Sequence, residues 1–287
     1  MEKAPGECIL CGGTDRVPLV SDGRWSVHKC TGCGLGVLDP RPDPAELGQL
    51  YRESYFVSHY ENVLPPGSDG MRRRLSQERH RVEFFRKHKS AGKVLDVGSG
   101  RGYFLEACRR RGYDVVGFDV SDDAAASVRE TLGIPVATGE LREGLFEPGS
   151  FDVVTMWHSL EHTRDPRDPL VFASKWLSVD GILVVEVPNY ECTDAMKEGS
   201  AWKDWDLPYH QFHFTPGSLR ELLLRCGFAV LEEKRYHSEY MKRRIRKIPF
   251  MGWLARPVAK LYTGTGVAVV AKKSDVPIPG GDRARGR

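Results

Sequence analysis

Four cysteines fall in two matched knuckles, Cys8-Ile9-Leu10-Cys11-Gly12 and Cys30-Thr31-Gly32-Cys33-Gly34, with 18 residues between them. Two Cys-x-x-Cys pairs let four thiolates converge tetrahedrally on one Zn²⁺, and the glycines relieve the tight knuckle turns. Disulfides and a redox dithiol are the alternatives. A reducing compartment argues against the first, and the duplication of the knuckle argues against the second. Four protein ligands leave no open coordination position, so the expected role is structural. A second chemical signature is Val94-Leu95-Asp96-Val97-Gly98-Ser99-Gly100-Arg101-Gly102-Tyr103-Phe104. Apolar residues around Asp96 read as a buried parallel strand, and the glycines read as a turn into a helix over 103–111. Gly98, Gly100 and Gly102 remove side chains where a cofactor must approach the backbone, and the helix amides point at that cofactor. A third set is histidine: His158 and His162 in His158-Ser159-Leu160-Glu161-His162, and His210 and His213 in Tyr209-His210-Gln211-Phe212-His213.

Further elements must position these groups. Asp114 to Asp119 reads as a second strand ending in an acid, where a Rossmann-like unit places a carboxylate on a ribose. Ser121 caps a following helix to Leu132. A third strand spans Ile134 to Leu141, a fourth Ser150 to His158 and a fifth Ile182 to Val187, with a helix over 169–177 before the Asp180-Gly181 turn. Thr215 caps a helix over 216–226 that Gly227 closes. Phe228–Lys234 and Thr265–Lys272 read as final antiparallel strands.

The Asp-x-Gly-x-Gly-x-Gly spacing differs from the dinucleotide pattern Gly-x-Gly-x-x-Gly, whose third glycine position is Tyr103 here. It resembles motif I of class I S-adenosylmethionine (SAM) methyltransferases. Ser150-Phe151-Asp152-Val153-Val154 is similar to that family's fourth-strand signature, and His158 to His162 resembles its His-x-x-Glu-His segment. The resemblance covers roughly residues 75–273. It implies an α/β fold: a Rossmann-like, seven-stranded, mostly parallel sheet, preceded by a small zinc ribbon. It implies SAM contacts at Asp96, Gly98, Gly100, Gly102, Tyr103, Asp119, Val120, Glu140, Leu141, Trp157 and His158. A histidine would assist acceptor deprotonation, with His213 placed before His210; His158 and His162 shape the methyl site and are the rivals. The knuckles followed by Gly34-Leu35-Gly36 and Leu50-Tyr51 look like the zinc-ribbon methyltransferases of bacterial sugar and natural-product pathways. Sugar C-methyltransferases among them carry Tyr-His-Glu-His-Phe-Ser. Here Tyr209 to Thr215 is one residue longer and lacks the Glu, which tilts the expectation to O-methylation over C- or N-methylation.

The implied organisation is a ribbon over 1–40, a helical linker and pocket wall over 41–90, a SAM domain over 91–273 with an insertion at 236–262, and a disordered tail over 274–287. Within the linker, 45–51 reads as a short helix, and Tyr51, Tyr55, Phe56 and Tyr60 form an aromatic cluster read mainly as packing. Met71 to Lys89 is basic, but Glu78 and Glu83 interrupt it, and Leu75, Val82 and Phe85 mark it as a helix with a solvated face.

Hydrophobic content of 40% and charged content of 28% fit a globular chain, and a net charge of +3 gives little reason for nucleic acid. The longest apolar runs are too short for a membrane span, and no apolar signal-peptide core is seen, so a cytoplasmic protein is expected. The insertion from Tyr240 to Tyr262 mixes basic and apolar residues. It reads as a helical hairpin, with weak membrane-surface contact or a lid as the sharper alternatives. The expected function is methyl transfer from SAM to a small-molecule acceptor, a sugar, glycan precursor or natural-product intermediate. An rRNA methyltransferase with a ribbon that reads RNA, and a non-catalytic SAM-binding scaffold, are the alternatives. The oligomeric state is not legible.

Overall fold

The computed structural model of the chain describes residues 6–50 and 63–274. The expected aromatic cluster at Tyr51, Tyr55, Phe56 and Tyr60, and the tail over 275–287, lie outside them.

The larger sheet has seven strands: β4 (Lys93–Val97), β5 (Asp114–Asp119), β6 (Val136–Thr138), β7 (Phe151–Trp157), β8 (Leu177–Pro188), β10 (Phe228–His237) and β11 (Thr263–Lys273). Their spatial order is β10-β11-β8-β7-β4-β5-β6. Strands β4 to β8 pair in parallel, while β11 runs antiparallel between β8 and β10. Parallel strands are covered on both faces, which is why they read as continuous apolar runs. Val94, Leu95, Val153, Val154, Leu183 and Val184 are completely buried. β4 neighbours β5 on one side and β7 on the other, so a topological switch point opens at its carboxyl end, the place where open α/β sheets bind ligands.

Helices cover both faces. The first, α1 (Pro44–Leu50), precedes the residues outside the description. α2 (Asp69–Arg86) starts at Ser68, whose side chain accepts from Met71 N. It buries Met71, Leu75, Val82 and Phe85 and turns its Arg72, Arg73 and Arg79 outward. The basic run is therefore the solvated face of an amphipathic helix. α3 (Tyr103–Arg109) and α4 (Asp122–Leu132) follow β4 and β5, and Ser121 caps α4 by accepting from Ala124 N at 3.2 Å. α5 (Arg167–Trp176) joins β7 to β8, and α6 (Thr193–Glu198) follows β8. α7 (Pro216–Arg225) carries a reciprocal capping box between Thr215 and Ser218.

The N-terminal segment folds as β1 (Arg16–Asp22), β2 (Trp25–Cys30) and β3 (Gly36–Asp39). Its sheet has a fourth strand that comes from far along the chain: β9 (Phe212–His213), which pairs antiparallel with β3 through Gly36–His213 and Val37–Phe212. A cluster of Val27, Leu38, Tyr190, Cys192, Trp202 and Trp205 cements this small sheet to the segment after β8.

Strands β10 and β11 are longer than expected. β10 continues to His237, so the excursion between them runs over 238–262 and not from 236. It holds α8 (Glu239–Arg246) and α9 (Ala255–Ala259). None of the described helices is long and apolar enough to cross a membrane.

Candidate active site at the carboxyl edge of the sheet

The turn after β4 takes the left-handed conformation at Gly98, Gly100 and Gly102, which only glycine adopts freely. At Gly98 there is a further reason. A Cβ there would sit 2.7 Å from Ser159 Cβ, because the His158–His162 segment packs directly on the glycine turn. That segment is a short 3₁₀ turn over Leu160–His162. The two motifs, some 60 residues apart in the chain, thus share one wall.

Asp119 ends β5 and is buried. Its carboxylate accepts from Gly100 N at 2.7 Å and from Ser121 N at 2.9 Å, which fixes both the glycine turn and the start of α4. Burial raises its pKa, against the pull of those two amides. A carboxylate has four lone-pair positions, so two remain after these bonds. Asp96 lies deeper: Thr155 Oγ1 donates to it at 2.6 Å, and burial pushes its pKa up to about 7. Tyr103 accepts from Leu64 N through its hydroxyl at 3.0 Å. Val120 and Glu140 are exposed at the ends of β5 and β6, and Leu141 packs against the core beside them. Trp157 is buried, its ring 5.3 Å from Phe104 and beneath the Arg81 guanidinium. Ser99 Oγ, Ser159 Oγ and Trp157 Nε1 are buried without a partner among the described residues. Orphaned polar atoms at a switch point, beside a glycine turn open to close backbone approach, suit a polar ligand of nucleoside type.

His158 has a left-handed backbone (φ 53°) that few non-glycine residues adopt. Its Nε2 lies 2.8 Å from Glu186 Oε1 and its Nδ1 3.3 Å from Glu161 Oε1. Burial opposes a charge on the ring, but hydrogen bonds to Glu161 and Glu186 outweigh it and hold the pKa up at about 10. His158 is therefore an imidazolium near neutral pH, a donor on both nitrogens and no base. Burial acts on Glu186 too, yet His158, Arg81 and the Tyr236 hydroxyl hold its carboxyl down at about 2. Arg81 Nη2 stands 3.6 Å from it.

His162, His210 and His213 are instead held toward the neutral form. Burial lowers the pKa of His162, takes that of His210 well below its usual value and brings that of His213 to about 3. His162 Nδ1 lies 3.2 Å from Tyr209 O, and His210 Nδ1 lies 2.8 Å from Asp204 O. A carbonyl can only accept, so both rings carry their proton on Nδ1, which leaves Nε2 as the basic atom. The two rings meet edge to face at 4.6 Å, and His210 Nε2 is 4.0 Å from Glu161 Oε1. The donor atoms of Glu161, His162 and His210 lie within 4.8 Å of one another, a set able to hold a divalent cation.

His213 is buried in β9 against Trp205, with Nε2 lacking any described partner; its ring meets that of His210 edge to face at 6.0 Å, but it is not one of the three residues whose donor atoms converge. Only His162 of the neutral three is partly open to solvent. Gln211, between them, ties the segment down: its N donates to Glu161 O, its Nε2 donates to His162 O, and its Oε1 accepts from Arg41 Nε at 3.0 Å. Glu161, Glu186, Arg81, Tyr236 and Gln211 were not among the expected site residues. The available signal was Glu186 itself, a lone charge inside the apolar run Ile182-Leu183-Val184-Val185-Glu186-Val187.

The four knuckle cysteines converge as expected. Cys8 and Cys33 have sulfurs 3.5 Å apart, as do Cys11 and Cys30, and all four lie within 4.8 Å of one another. Tetrahedral Zn–S bonds imply sulfur separations of about 3.8 Å, so the set fits that ion.

Residues 69–233 match a family model described as a methyltransferase domain. The chain is 40% identical over 156 residues to the ubiquinone biosynthesis O-methyltransferase of Methylococcus capsulatus, covering 51% of this chain and 64% of that protein. It is 35% identical over 113 residues to the mitochondrial ubiquinone biosynthesis O-methyltransferase of Schizosaccharomyces pombe, covering 36% of this chain and 41% of that one. The chain thus spans less than two thirds of the curated relatives it matches. Among solved structures it superposes on a SAM dependent methyltransferase from Archaeoglobus fulgidus (TM-score 0.54, 21% identity, 71% of this chain and 94% of that one). It also superposes on the Burkholderia thailandensis 1,6-didemethyltoxoflavin-N1-methyltransferase (TM-score 0.54, 20% identity, 90% of this chain and 99% of that one). At such identities the likeness is one of fold.

Proposed function

The chain belongs to the methyltransferase-domain family, and from that membership we propose that it transfers a methyl group from SAM to a hydroxyl oxygen of a small-molecule acceptor. The observation that carries this reading is the contact of Ser159 with Gly98, which sets the His158–His162 turn against the glycine turn. SAM, when bound, supplies a methyl already activated on a sulfonium, so alignment and a base for the acceptor proton are what the chain must add. Asp119, with two lone pairs to spare, would take the ribose hydroxyls, and the rim at Glu140 and Leu141 the adenine. His162 is the base in this reading: neutral, partly open, with Nε2 basic. His158 cannot share that role because it is already protonated; its charge and rigid clamp shape the wall beside the methyl. The cysteine cluster holds a structural zinc that sets the small sheet carrying β9.

The relatives' names support O-methylation, and the balanced charge gives little purchase for RNA. The test is formation of S-adenosylhomocysteine from SAM against a panel of phenols, sugars and an rRNA fragment. Turnover with a phenol or sugar, little affected by salt, is the expected result. Turnover with RNA alone, falling steeply with salt, would move the chain to the rRNA class. SAM binding without turnover on any acceptor would leave a scaffold.

A second reading of the histidine cluster rests on the donor atoms of Glu161, His162 and His210 within 4.8 Å. A divalent cation held there would orient the acceptor oxygen and lower its pKa. Turnover abolished by a chelator and restored by Mg²⁺, Mn²⁺ or Zn²⁺ selects this reading; turnover indifferent to chelation selects His162 acting alone.

A further inference from the structure

The excursion over 238–262 is absorbed by none of the chemistry above. Asp194 anchors its base: the carboxylate accepts from Ser238 Oγ, from Glu239 N at 3.1 Å and from Tyr240 N at 3.3 Å, capping α8. Ile245, Ala255 and Ala259 are buried and dock the hairpin on the body. Between these anchors, residues 246–253 are exposed without interruption. The tip is therefore held out by a fixed base.

What it presents is unusual for a surface. Phe250 is 97% exposed, Trp253 76% and Leu261 80%, with Ile248 and Met251 beside them. Large apolar side chains this open are left uncovered by the described residues, and a cluster of them marks an interaction site. From Met241 to Tyr262 there are seven lysines and arginines and no acid. Lys242 pairs with Glu239 and Arg243 with Glu198, but no described carboxylate forms an ion pair with Arg244, Lys247, Arg256 or Lys260. Apolar and aromatic residues at the projecting tip, with unneutralised cations on the flanking helices, match an anionic lipid surface in both chemistries. A nucleic acid would use the cations and leave Phe250, Ile248 and Leu261 in water; a protein groove would not call for so many unpaired charges.

We propose that the 238–262 hairpin docks this protein on the surface of bilayers containing anionic lipid, with Phe250 and Trp253 entering the headgroup region and Arg244, Lys247, Arg256 and Lys260 facing lipid phosphates. β11 runs antiparallel to β8, with Gly266 opposite Pro188, so the hairpin emerges at the same edge of the sheet as the carboxyl ends of the parallel strands. Docking there holds that edge toward the lipid. The inference does not depend on the acceptor proposed above.

The test is co-sedimentation of the full chain with vesicles of phosphatidylcholine alone and of phosphatidylcholine mixed with phosphatidylglycerol. Binding to the mixed vesicles, at least about tenfold stronger than to the neutral ones and weakened as salt shortens the Debye length from about 10 Å to about 3 Å, is expected. Two variants separate the contributions: Arg244→Gln with Lys247→Gln, and Phe250→Ser with Trp253→Ser. Each should lower binding at least about tenfold while thermal stability is kept, since all four side chains are exposed. Equal binding to neutral vesicles, no binding to either, or full binding by both variants would overturn the proposal. So would capture of an RNA in preference to the mixed vesicles.

Discussion

His158 and Glu186 face each other at the carboxyl ends of β7 and β8, with Nε2 2.8 Å from Oε1 and His158 N also donating to Glu186 O at 3.0 Å. The pair has a measurable pH signature. His158 has a folded pKa of about 10 against 6.5, so its contribution is complete below pH 6.5 and lost as pH rises toward 10. Glu186 has a folded pKa of about 2 against 4.5, so its contribution is complete above pH 4.5 and lost as pH falls toward 2. Thermal melts should therefore show the pair at full strength between pH 4.5 and 6.5. His158→Asn keeps a residue that tolerates the left-handed backbone. Its melting temperature should trail the parent protein's most in that window and approach it as pH rises. A constant offset at every pH would show that the ring is not charged in the fold.

His162 and His213 should respond differently to replacement by glutamine. His162→Gln should lower turnover by about 10²–10⁴-fold with SAM affinity held, the loss expected of a proton acceptor. His213→Gln should lower the melting temperature, because its ring packs in the core beside Trp205. Stopped turnover in the His213 variant with an unchanged melt would return the base role to His213.

Asp119→Asn should weaken SAM binding by about 1.5–3 kcal/mol, the range for hydrogen bonds to a charged group. Calorimetry measures this directly. The glycine turn supplies a check, since Gly100 N and Ser121 N also donate to this carboxylate. A matching fall in melting temperature would reveal a turn that had come loose, and an unchanged affinity would remove Asp119 from the site.

Metal analysis of protein prepared without added zinc should find one zinc per chain, and Cys11→Ser should lose it. Chelation should lower the melting temperature and alter the near-ultraviolet signal of Trp202 and Trp205, which pack in the same cluster as Val27 and Leu38. A metal-free protein with both unchanged would refute the site.

What the sequence revealed was local. The glycine turn, the capped helices and the apolar parallel strands are written in runs of ten or so residues, because spacing and periodicity act at that range. The knuckles are also short-range. The His158 clamp is not: Glu186 is 28 residues away and Tyr236, which donates to Glu186, is 50 further on. No pattern in either segment states that they meet. β9 was missed for another reason. Two residues are too few to show alternation, and Phe212–His213 is a strand only because β3 offers it an edge. His213 lies in that strand and is buried, which the local sequence does not announce.

The pairing of Gly36 with His213 also fixes a sequence of events during synthesis. The knuckles close through a loop of 25 residues, so the proposed zinc could be captured as soon as that stretch is made. The small sheet must wait for its last strand: Arg41 and its partner Gln211 are 170 residues apart, roughly 10–30 s of translation. For that interval β3 is an open edge able to recruit a foreign strand. It is four residues long, Gly36-Val37-Leu38-Asp39, and it ends in an acid, which gives a stray partner little to hold. The tie that orders the histidine segment thus forms long after the knuckles close. A chain interrupted before Phe212 would have all four knuckle cysteines and still lack the strand that completes the small sheet.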